Sequence, residues 1–381
     1  MPKKENIRAG KYINQPTGYK AFMPNPLPPE PPLHMDAEMQ VLLSAADRAL
    51  GKLDAATELL PNPDWFVDMY VKKEAVYSSQ IEGAQASLAD LLEFEVKIDR
   101  DKLPMDVKET SNYVKALNYG LERLNSLPLS LRLLKEIHKK LMHGVRGGEK
   151  SPGEFRDKQN FIGPPGCMLN EATFAPPPPQ ELLNTMGALE KFLHDESPMP
   201  PLIKCGLAHA QFETIHPFYD GNGRIGRLLI TFLLAWRGML KKPLLYVSHY
   251  FKKNHSEYYD RLQAVRENGD WEGWIRFFLT GVEEVSIEAA ETAQKIQFLR
   301  RDHEKLIGEA KLNQANSLAL LEDLFRFPFT NSNLTKITIK KSHPVAIKLL
   351  NTFEKLGILK ELSGKQRYKF YAYKPYLDLF Q

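Results

Sequence analysis

A short loop between two apolar helical stretches constrains the fold of this chain more than any other feature of its sequence. The segment LIKCGLAHAQFETIH carries apolar residues at helical spacing, and Pro217 behind it has no N–H with which to continue a helix. The segment RIGRLLITFLLAW repeats apolar residues every three or four positions. We therefore predict two buried helices, joined by the loop from His216 to Gly223, in a mainly α-helical fold.

Glycines and arginines at the end of this loop predict an anion site. Gly221 and Gly223 allow the unusual dihedral angles of a tight turn, and the first N–H groups of the next helix have no partner within it. Arg224 and Arg227 are three residues apart, so they share one face of the first helical turn. Two cations there oppose the helix dipole unless an anion compensates them, and a phosphate chain is the natural anion.

Two further side chains of the loop add chemistry to this anion site. Polyphosphates bind together with Mg²⁺, which prefers a carboxylate ligand such as Asp220. His216, four residues earlier, is placed to accept a proton from an attacking hydroxyl. The set predicts phosphoryl-type transfer from a nucleotide. The alternative is purely structural: a glycine turn, a packed histidine and solvated arginines.

Two other patterns overlap the loop and predict different sites. Gly221 to Gly226 satisfies G-x-G-x-x-G, but a helix precedes it and no acidic residue follows at the distance that binds a ribose, which argues against a dinucleotide fold. His209, Glu213 and His216 share one helical face, as metal ligands do. No HExxH is present, however, and we expect His209 to be a buried, hydrogen-bonded support.

The rest of the chain divides into segments that differ in composition and in hydrophobic periodicity. Its 381 residues exceed one ordinary domain, so we expect two or three. About the first 35 residues, rich in proline, are predicted to form an extended arm, followed by helices to about Gly147. The segment RDKQNFIGPPGCMLNEATFAPPPP predicts a strand-turn-strand loop. Helical spacing returns from Gln180 to about Ala310, and the tail predicts helix, helix, strand, turn and strand, the order of a winged helix.

Basic residues are concentrated in that tail. The net charge of the whole chain, +4, is too small to imply a polyanion partner. Residues 331–381 contain nine Lys and one Arg against three acidic residues, a local charge of +7 that suits a DNA duplex. The helix predicted at His343 to Leu356 is mostly apolar and lacks base-reading arginines. We therefore expect weak or no DNA binding, with a protein-docking or homodimer-forming module as the alternative.

Cysteine usage and hydropathy bear on location. Cys167 and Cys205 are too few for a disulfide framework or a structural zinc site, which favours a reducing, cytoplasmic location. No apolar leader follows the basic N-terminus, and the longest apolar run, near Leu228 to Trp236, is too short to span a bilayer. We expect no membrane association.

The segment from His216 to Arg227 matches every fixed position of the Fic motif, HPFx[D/E]GNGRxxR, and the chain resembles bacterial Fic (Fido) protein adenylyltransferases. The resemblance implies a helical N-terminal domain at 1–127, a Fic core with a β-hairpin flap at 128–282, a connecting helix at 283–310 and a winged helix at 311–381. It implies transfer of AMP from ATP to a Ser, Thr or Tyr hydroxyl, either of a target protein or of the protein itself. Transfer of another nucleotide, removal of AMP, and a nucleotide-sensing DNA-binding regulator are the alternatives.

The same resemblance assigns roles to individual residues. His216 would deprotonate the target hydroxyl, and Asp220 would be the Mg²⁺ ligand. Arg224 and Arg227 would hold the β- and γ-phosphates of ATP. The other implied nucleotide-binding residues form two groups. The phosphate cradle and its continuation are Gly221, Asn222, Gly223, Ile225 and Gly226, with Asn222 in contact with the phosphates. The neighbours of the adenine are Tyr258, Tyr259 and Leu262. Core packing is the alternative for the two tyrosines.

The resemblance further implies a docking site for the target protein. The segment from Asn160 to Pro177 resembles the flap that holds the target's backbone by strand addition. Its first strand contains Asn160, Phe161, Ile162 and Gly163. A branch of the family with Lys at the position of Gly223 transfers a phosphoryl group, and the glycine here favours nucleotidyl transfer.

An inhibitory segment is implied upstream. SSQIEG, from Ser78 to Gly83, matches the Fic inhibitory motif [S/T]xxxE[G/N]. The carboxylate of Glu82, placed near Arg227, would form a bidentate pair and occupy the ground that the γ-phosphate needs. We therefore expect Ser78, Glu82 and Gly83 to inhibit the enzyme of which they are part.

Overall fold

The computed structural model describes residues 8–58, 60, 62–96, 104–164, 166–310, 312–364 and 369–380. Helices dominate the described residues, which confirms the prediction of a mainly α-helical fold with small sheets. The helices are α1 Ala37–Glu58, α2 Pro63–Ile81, α3 Leu88–Val96, α4 Met105–Arg123, α5 Leu131–Leu141, α6 Pro179–His194, α7 Pro201–Ile215, α8 Asn222–Trp236, α9 Ser248–Lys253, α10 His255–Asn268, α11 Trp271–Glu309, α12 Gln314–Arg326, α13 Ser332–Ile339, α14 His343–Lys355 and α15 Lys374–Leu377. The strands are β1 Gly10–Asn14, β2 Lys20–Pro24, β3 Phe329–Asn331, β4 Lys360–Glu361 and β5 Phe370–Ala372.

Two compact units contain these elements. The first unit contains Met1–Asp54, Tyr70–Ala86 and Pro104–Ile287. The second unit contains Ala55–Met69, Ser87–Leu103 and Glu288–Gln381. Within the described ranges, no helix combines the length and the apolar character needed to cross a membrane.

The two helices predicted around the central loop form the core of the first unit. Every residue of α7 from Leu202 to Ile215 is buried, and α8 is buried over most of its length. Helix α7 packs against α6, α8 and α10, and α8 also packs against α4 and α5. A helix that is apolar on all sides must be covered on all sides. The loop between α7 and α8 therefore starts from a rigid, enclosed base.

A glycine permits the close approach of α4 to α8. Gly120 of α4 is buried, and a Cβ atom built there would lie 2.4 Å from Cζ of Phe232. Phe232 is fully buried, so its ring cannot move aside into solvent. The contact between the two helices thus depends on the missing side chain.

The predicted flap contains less strand than the sequence indicated. Its pairing is a single antiparallel bridge, in which Ile162 and Phe174 exchange N–H···O bonds of 2.8 and 3.0 Å. Pro164 and the run Pro176–Pro179 flank this bridge, and proline has no N–H to extend a ladder. Pro165 lies outside the described residues.

The N-terminal segment is a hairpin rather than the extended arm that its prolines predicted. Strands β1 and β2 pair antiparallel from Gly10 opposite Pro24 to Asn14 opposite Lys20. Most of the prolines follow β2, and Pro16 and Gly18 lie in the turn, where both residue types are favoured. The expectation was wrong because it applied the effect of the later prolines to residues that precede them.

The C-terminal part of the second unit contains the helices α12 to α15 and a small sheet. Helix α13 packs between α12 and α14, and the strands are antiparallel in the order β3-β5-β4. The sequence predicted the β4–β5 hairpin but missed β3, one of the helices α12 to α14, and the short helix α15. Strand β3 has only three residues and leads directly into α13, which Asn331 caps by accepting from Asn333 N and Leu334 N.

Substitution of Gly120 by Ala tests the α4–α8 contact. We expect the Gly120→Ala variant to lose about 1–3 kcal/mol of unfolding free energy, because the new methyl group overpacks Phe232. Gly51 in α1 has no atom within 4 Å of a built Cβ, so Gly51→Ala should gain roughly 0.5–1 kcal/mol through helix propensity. Urea unfolding followed by circular dichroism measures both, and equal effects of the two substitutions would contradict the packing argument.

Candidate active site

His216 ends α7 in a strained backbone conformation. Its φ is 49° and its ψ is 61°, the left-handed region that residues with a Cβ rarely adopt. Its N–H donates to the carbonyl of Phe212 at 3.0 Å, and Pro217 then prevents continuation of the helix. Contacts from outside α7 are needed to hold this conformation.

Arg156 supplies those contacts from the loop that leads into the flap. Its Nε donates to the carbonyl of His216 at 3.0 Å, and its Nη2 donates to the carbonyl of Pro177 at 2.6 Å. Its backbone N–H donates to the carbonyl of Pro217 at 2.9 Å. Arg156 is 2% exposed, so these charge-assisted hydrogen bonds are shielded from water. The sequence analysis did not identify Arg156, because the aromatic and polar residues around it do not distinguish it from any other arginine in a loop.

Asn222 fixes the loop between His216 and α8. Its Oδ1 accepts from the N–H of Phe218, and its Nδ2 donates to the carbonyl of Phe218, both at 2.8 Å. Asn222 is 2% exposed, so its amide group shapes the loop from within. Gly221 has φ of 76°, and a Cβ there would lie 2.9 Å from Sδ of Met142. The loop is therefore held in one shape from both sides at the start of α8.

Arg227 is buried in the first turns of α8 and binds the end of α2. Its Nε donates to Oγ of Ser78 at 2.8 Å, and its Nη2 donates to the carbonyl of Ser78 at 2.9 Å. The same Nη2 contacts Oε1 of Glu82 at 2.7 Å. Burial lowers the pKa of Arg227, but Glu82, Tyr258, Tyr259 and Glu213 together outweigh this effect and hold that pKa above its ordinary value. The guanidinium therefore stays charged at every physiological pH.

Glu82 lies against the glycine loop. A Cβ on Gly223 would be 2.2 Å from Oε1 of Glu82, so a side chain there would displace the carboxylate. Burial raises the pKa of Glu82, but the charge and the hydrogen bond of Arg227 lower it. The pKa of Glu82 is therefore below that of an ordinary glutamate. The predicted bidentate pair is replaced by one N–O contact, because Ser78 takes the Nε side of the guanidinium. Gly83, with φ of 92°, ends the turn behind Glu82.

Beside the first turns of α8, three side-chain polar atoms are buried without a hydrogen-bond partner among the described residues. They are Nη1 of Arg227, Nε of Arg224 and Oε1 of Glu213. Buried donors normally find partners, so unpaired ones beside a helix N-terminus are points that a ligand can satisfy. Two of the three atoms belong to guanidinium groups, which suit phosphate oxygens.

The Asp220 carboxylate fits a magnesium ligand. Its Oδ1 accepts from the N–H of Gly221 at 2.6 Å, and its Oδ2 lies 3.7 Å from Nζ of Lys150. A Cβ on Gly147 would be 2.4 Å from that Oδ2, so the glycine keeps one side of the carboxylate clear. Mg²⁺ commonly binds one or two carboxylates and takes its other ligands from water and substrate phosphates. A single half-exposed carboxylate beside an anion site meets that requirement.

His209 and Glu213 do not form a metal site with His216. The described residues contain no group of three or more His, Cys, Asp or Glu that could hold a metal ion. His209 Nδ1 donates to the carbonyl of Gly226 at 2.8 Å, and its Nε2 accepts from the hydroxyl of Tyr258 at 2.9 Å. His209 is thus the buried, hydrogen-bonded support that the sequence predicted.

The imidazole of His216 is neutral at physiological pH. Burial, followed by the positive charge of Arg266, lowers the pKa of His216 to about 4. Its Nδ1 has no hydrogen-bond partner within the described residues. A neutral imidazole can accept a proton, which general-base chemistry requires.

The residues that resemble adenine neighbours differ in exposure. Tyr258 is 1% exposed, stacks on Phe251 at 4.4 Å between ring centroids and binds His209 through its hydroxyl. Leu262 is also buried, whereas Tyr259 is 42% exposed. Ile225, from the phosphate-binding set, is fully buried in the core as well. Tyr259 is the member of the adenine set with a ring surface open to a ligand.

The first residues of the flap are tied to the loop. Asn160 Nδ2 donates to the carbonyls of His216 at 3.3 Å and Phe218 at 2.9 Å. Phe161 and Ile162 are each 39% exposed. A Cβ on Gly163 would lie 2.6 Å from Sγ of Cys167, so the flap is narrow at this point. The structure thus brings Asn160, the first of the predicted flap residues, to the backbone of His216.

Sequence comparison identifies two known segments in the chain. Residues 40–122 match the family model "Fic/DOC family N-terminal", and residues 128–234 match the model "Fic/DOC family". A protein adenylyltransferase Fic of Culex quinquefasciatus is 32% identical over 208 residues, 53% of this chain and 38% of its own length. A probable protein adenylyltransferase of Aquifex aeolicus is 28% identical over 202 residues, 53% of this chain and 57% of its own length. The chain thus matches roughly 40 to 60% of the length of these relatives.

Comparison with solved structures gives the same fold. A Fic family protein from Desulfovibrio desulfuricans superposes with a TM-score of 0.59 and 20% identity over 90% of this chain and 97% of its own. A Fic domain containing signaling protein from Bacteroides thetaiotaomicron superposes with a TM-score of 0.51 and 18% identity over 66% of this chain and 97% of its own. At these identities the similarity establishes the fold alone.

A titration of His216 tests the electrostatics of the site. We expect its imidazole to remain neutral down to about pH 4, because burial and Arg266 disfavour the charged form. Histidine resonances followed by NMR from pH 8 to acid measure the midpoint, and the His216→Ala variant identifies the resonance. Arg266→Gln should raise that midpoint, since it removes a cation. A midpoint between pH 6 and 7 in the wild-type protein would contradict the lowering of this pKa by partial burial and by Arg266.

Proposed function

Because residues 40–122 and 128–234 belong to the Fic/DOC family, we propose that this protein transfers AMP from ATP to a Ser, Thr or Tyr hydroxyl of a protein target. One observation carries the proposal: a neutral imidazole, a carboxylate and two buried guanidinium groups converge at one loop and the first turns of α8. The adenylyltransferase names of the curated relatives agree with it.

Each group has one task in the proposed transfer. His216 takes the proton of the target hydroxyl while the hydroxyl oxygen attacks the α-phosphorus of ATP. The bond from that phosphorus to the bridging oxygen of the β-phosphate breaks, and pyrophosphate leaves. Arg224 and Arg227 bind the leaving phosphates, and the N–H groups at the start of α8 bind the phosphate chain. The products are the AMP–protein ester and pyrophosphate.

Asp220 is the residue that would hold Mg²⁺. When bound there, the ion would neutralise charge on the phosphate chain. The contact of Asp220 with Lys150, at 3.7 Å, is long enough to be exchanged for a cation with higher charge. Asn222 contributes by holding the loop through Phe218, and any contact it makes with phosphate would come from its backbone N–H.

We further propose that Glu82 inhibits the transfer. Its Oε1 lies 2.7 Å from Nη2 of Arg227. In this position it takes the place that the γ-phosphate would otherwise occupy. With Glu82 in place, ATP binds with its γ-phosphate displaced, and the α-phosphorus then faces away from the attacking hydroxyl. Ser78 supports this state because it orients the guanidinium toward Glu82.

We assign the C-terminal elements α12 to β5 to a winged helix that docks a protein. Its exposed apolar residues favour a protein over a duplex: Ile337 is 71% exposed, Val345 40% and Ile347 41%. DNA readers present Arg, Asn and Gln at these places instead.

Replacing Glu82 tests the proposed function and its inhibition together. With α-labelled ATP and Mg²⁺, we expect Glu82→Gly to label itself or a target at least about tenfold faster than the wild-type protein, which corresponds to about 1.4 kcal/mol of barrier. The reason is that Arg227 becomes available to the γ-phosphate. Initial rates are read from gels after short incubations.

Three controls accompany that measurement. Glu196→Gly removes an exposed carboxylate outside the helices and should leave the rate unchanged. His216→Ala in the Glu82→Gly background should lower the rate by about 10²- to 10⁴-fold while ATP binding persists. Arg227→Ala should not reproduce the gain, because it removes the phosphate ligand together with the partner of Glu82.

Removal of AMP by the same site would give the same first result for another reason. If Glu82 oriented a water that removes AMP, Glu82→Gly would raise labelling by preventing loss. A chase with excess unlabelled ATP separates the two cases, because only removal makes the label on wild-type product decay. Equal initial rates for wild type and Glu82→Gly, without decay in the chase, would contradict a role for Glu82.

A further inference from the structure

A cleft beside the flap has no role in the proposed transfer itself. It has a volume of about 710 Å³ and is lined by the β1–β2 hairpin, the return strand of the flap at residues 172–175, and Arg266 and Glu267 near the end of α10. We call it the flap cleft. Its volume is in the range of sites that enclose a ligand.

The hairpin that forms one wall of the flap cleft is joined to the flap. Phe22 N donates to the carbonyl of Ala175 at 2.8 Å. The ring of Phe22 lies 6.1 Å from that of Phe174 and 5.1 Å from that of Tyr12. Tyr19 donates from its hydroxyl to Oε1 of Gln159 at 3.0 Å. An occupant of the cleft therefore contacts a wall that is continuous with the flap.

The lining of the flap cleft is positively charged. It contains three cationic side chains, Lys11, Lys20 and Arg266, and one anionic side chain, Glu267. Lys11 and Lys20 are exposed, and neither forms an ion pair with another described residue. Their charges are therefore available to an acidic ligand.

Arg266 connects the flap cleft to the residues before His216. Its Nη2 donates to the carbonyl of Glu213 and its Nε to Oγ1 of Thr214, both at 3.3 Å. Its guanidinium also lies over the ring of Phe174, 4.1 Å from the centroid. Arg266 thus links the wall of the flap cleft to the end of α7.

The walls suit an extended polypeptide. Strand β1 pairs with β2 on one side, and within the described residues no strand covers its other edge. Open strand edges and flaps of this kind bind peptides through main-chain hydrogen bonds, and side chains in the flanking cleft then decide which sequence binds. Tyr12, 42% exposed, adds an apolar contact.

We propose that the flap cleft binds an extended acidic segment of the protein target and so selects which hydroxyl reaches His216. This inference rests on the proposed function for the identity of the ligand as a target protein. The binding itself needs no nucleotide, so it can be measured separately from transfer.

Selection from a random peptide library tests this binding directly. The immobilised 381-residue chain is incubated, without nucleotide, with short random peptides that carry one fixed Ser, and the bound pool is sequenced. We expect Asp and Glu to be enriched over Lys and Arg by at least about fivefold, which corresponds to about 1 kcal/mol. Equal frequencies of acidic and basic residues in the bound pool would overturn the proposal.

Charge reversal in the cleft supplies the decisive variants. Lys11→Glu/Lys20→Glu should invert the preference toward basic peptides, and Lys11→Gln/Lys20→Gln should abolish it. Lys52→Glu/Lys115→Glu changes two exposed lysines of α1 and α4 by the same total charge and should retain the acidic preference. Retention of the acidic preference in the cleft variants would assign it to another surface and overturn the proposal. Circular dichroism melts confirm that each variant is folded.

Two further outcomes are separated by the same experiment. Displacement of the bound acidic peptides by a single-stranded oligonucleotide, at concentrations where a neutral peptide has no effect, would identify a nucleic-acid groove and overturn the peptide assignment. If the charge preference for peptides inverts in Lys11→Glu/Lys20→Glu but the protein never transfers AMP to a target, peptide binding in the flap cleft would be supported and the proposed transfer rejected. If the protein transfers AMP but shows no charge preference for peptides, the proposed transfer would be supported and the acidic-peptide site rejected.

Discussion

The buried guanidinium of Arg227 is the charge on which the rest of the site depends. It is 1% exposed, and Ser78 and Glu82 supply its hydrogen bonds. A buried cation without an anion is costly, so a carboxylate or a phosphate must accompany it. Glu82 meets this need, and its side chain, 37% exposed, is the solvent-accessible partner of the pair. If a phosphate took the place of Glu82, the hydrogen bonds from Arg227 to Ser78 could stay in place, so the proposed inhibition and the proposed transfer can both use Arg227.

The shape of the loop follows from groups that are not themselves reactive. Arg156 holds the left-handed His216, Asn222 holds Phe218, and Asn160 joins the flap to both. These hydrogen bonds fix the backbone that carries the imidazole, and such preorganisation would reduce the rearrangement needed in the proposed transfer. Burial of the same region lowers the pKa of His216 and keeps its imidazole neutral.

Local sequence was sufficient for the helical core and insufficient for the contacts across it. Apolar spacing predicted α7 and α8, and Pro217 predicted where α7 ends, because both signals act within a few residues. Arg156 was missed because its acceptors are carbonyls about 20 and 60 residues away, and spacing rules hold no information on such contacts. Strand β3 was missed for a similar reason, since its pairing with β5 joins positions about 40 residues apart. The hairpin β1–β2 carried a local signal, Pro16 and Gly18, that the later prolines concealed.

Structures of the wild-type protein and of Glu82→Gly, each with α,β-methylene ATP, would test the competition for Arg227 most directly. The account predicts that the Glu82–Arg227 contact of 2.7 Å persists in the wild-type complex and that the γ-phosphate lies away from the guanidinium. In the Glu82→Gly complex, a γ-phosphate oxygen should come within about 3.2 Å of Arg227. A wild-type complex with the γ-phosphate on Arg227 and the Glu82 contact intact would contradict the account.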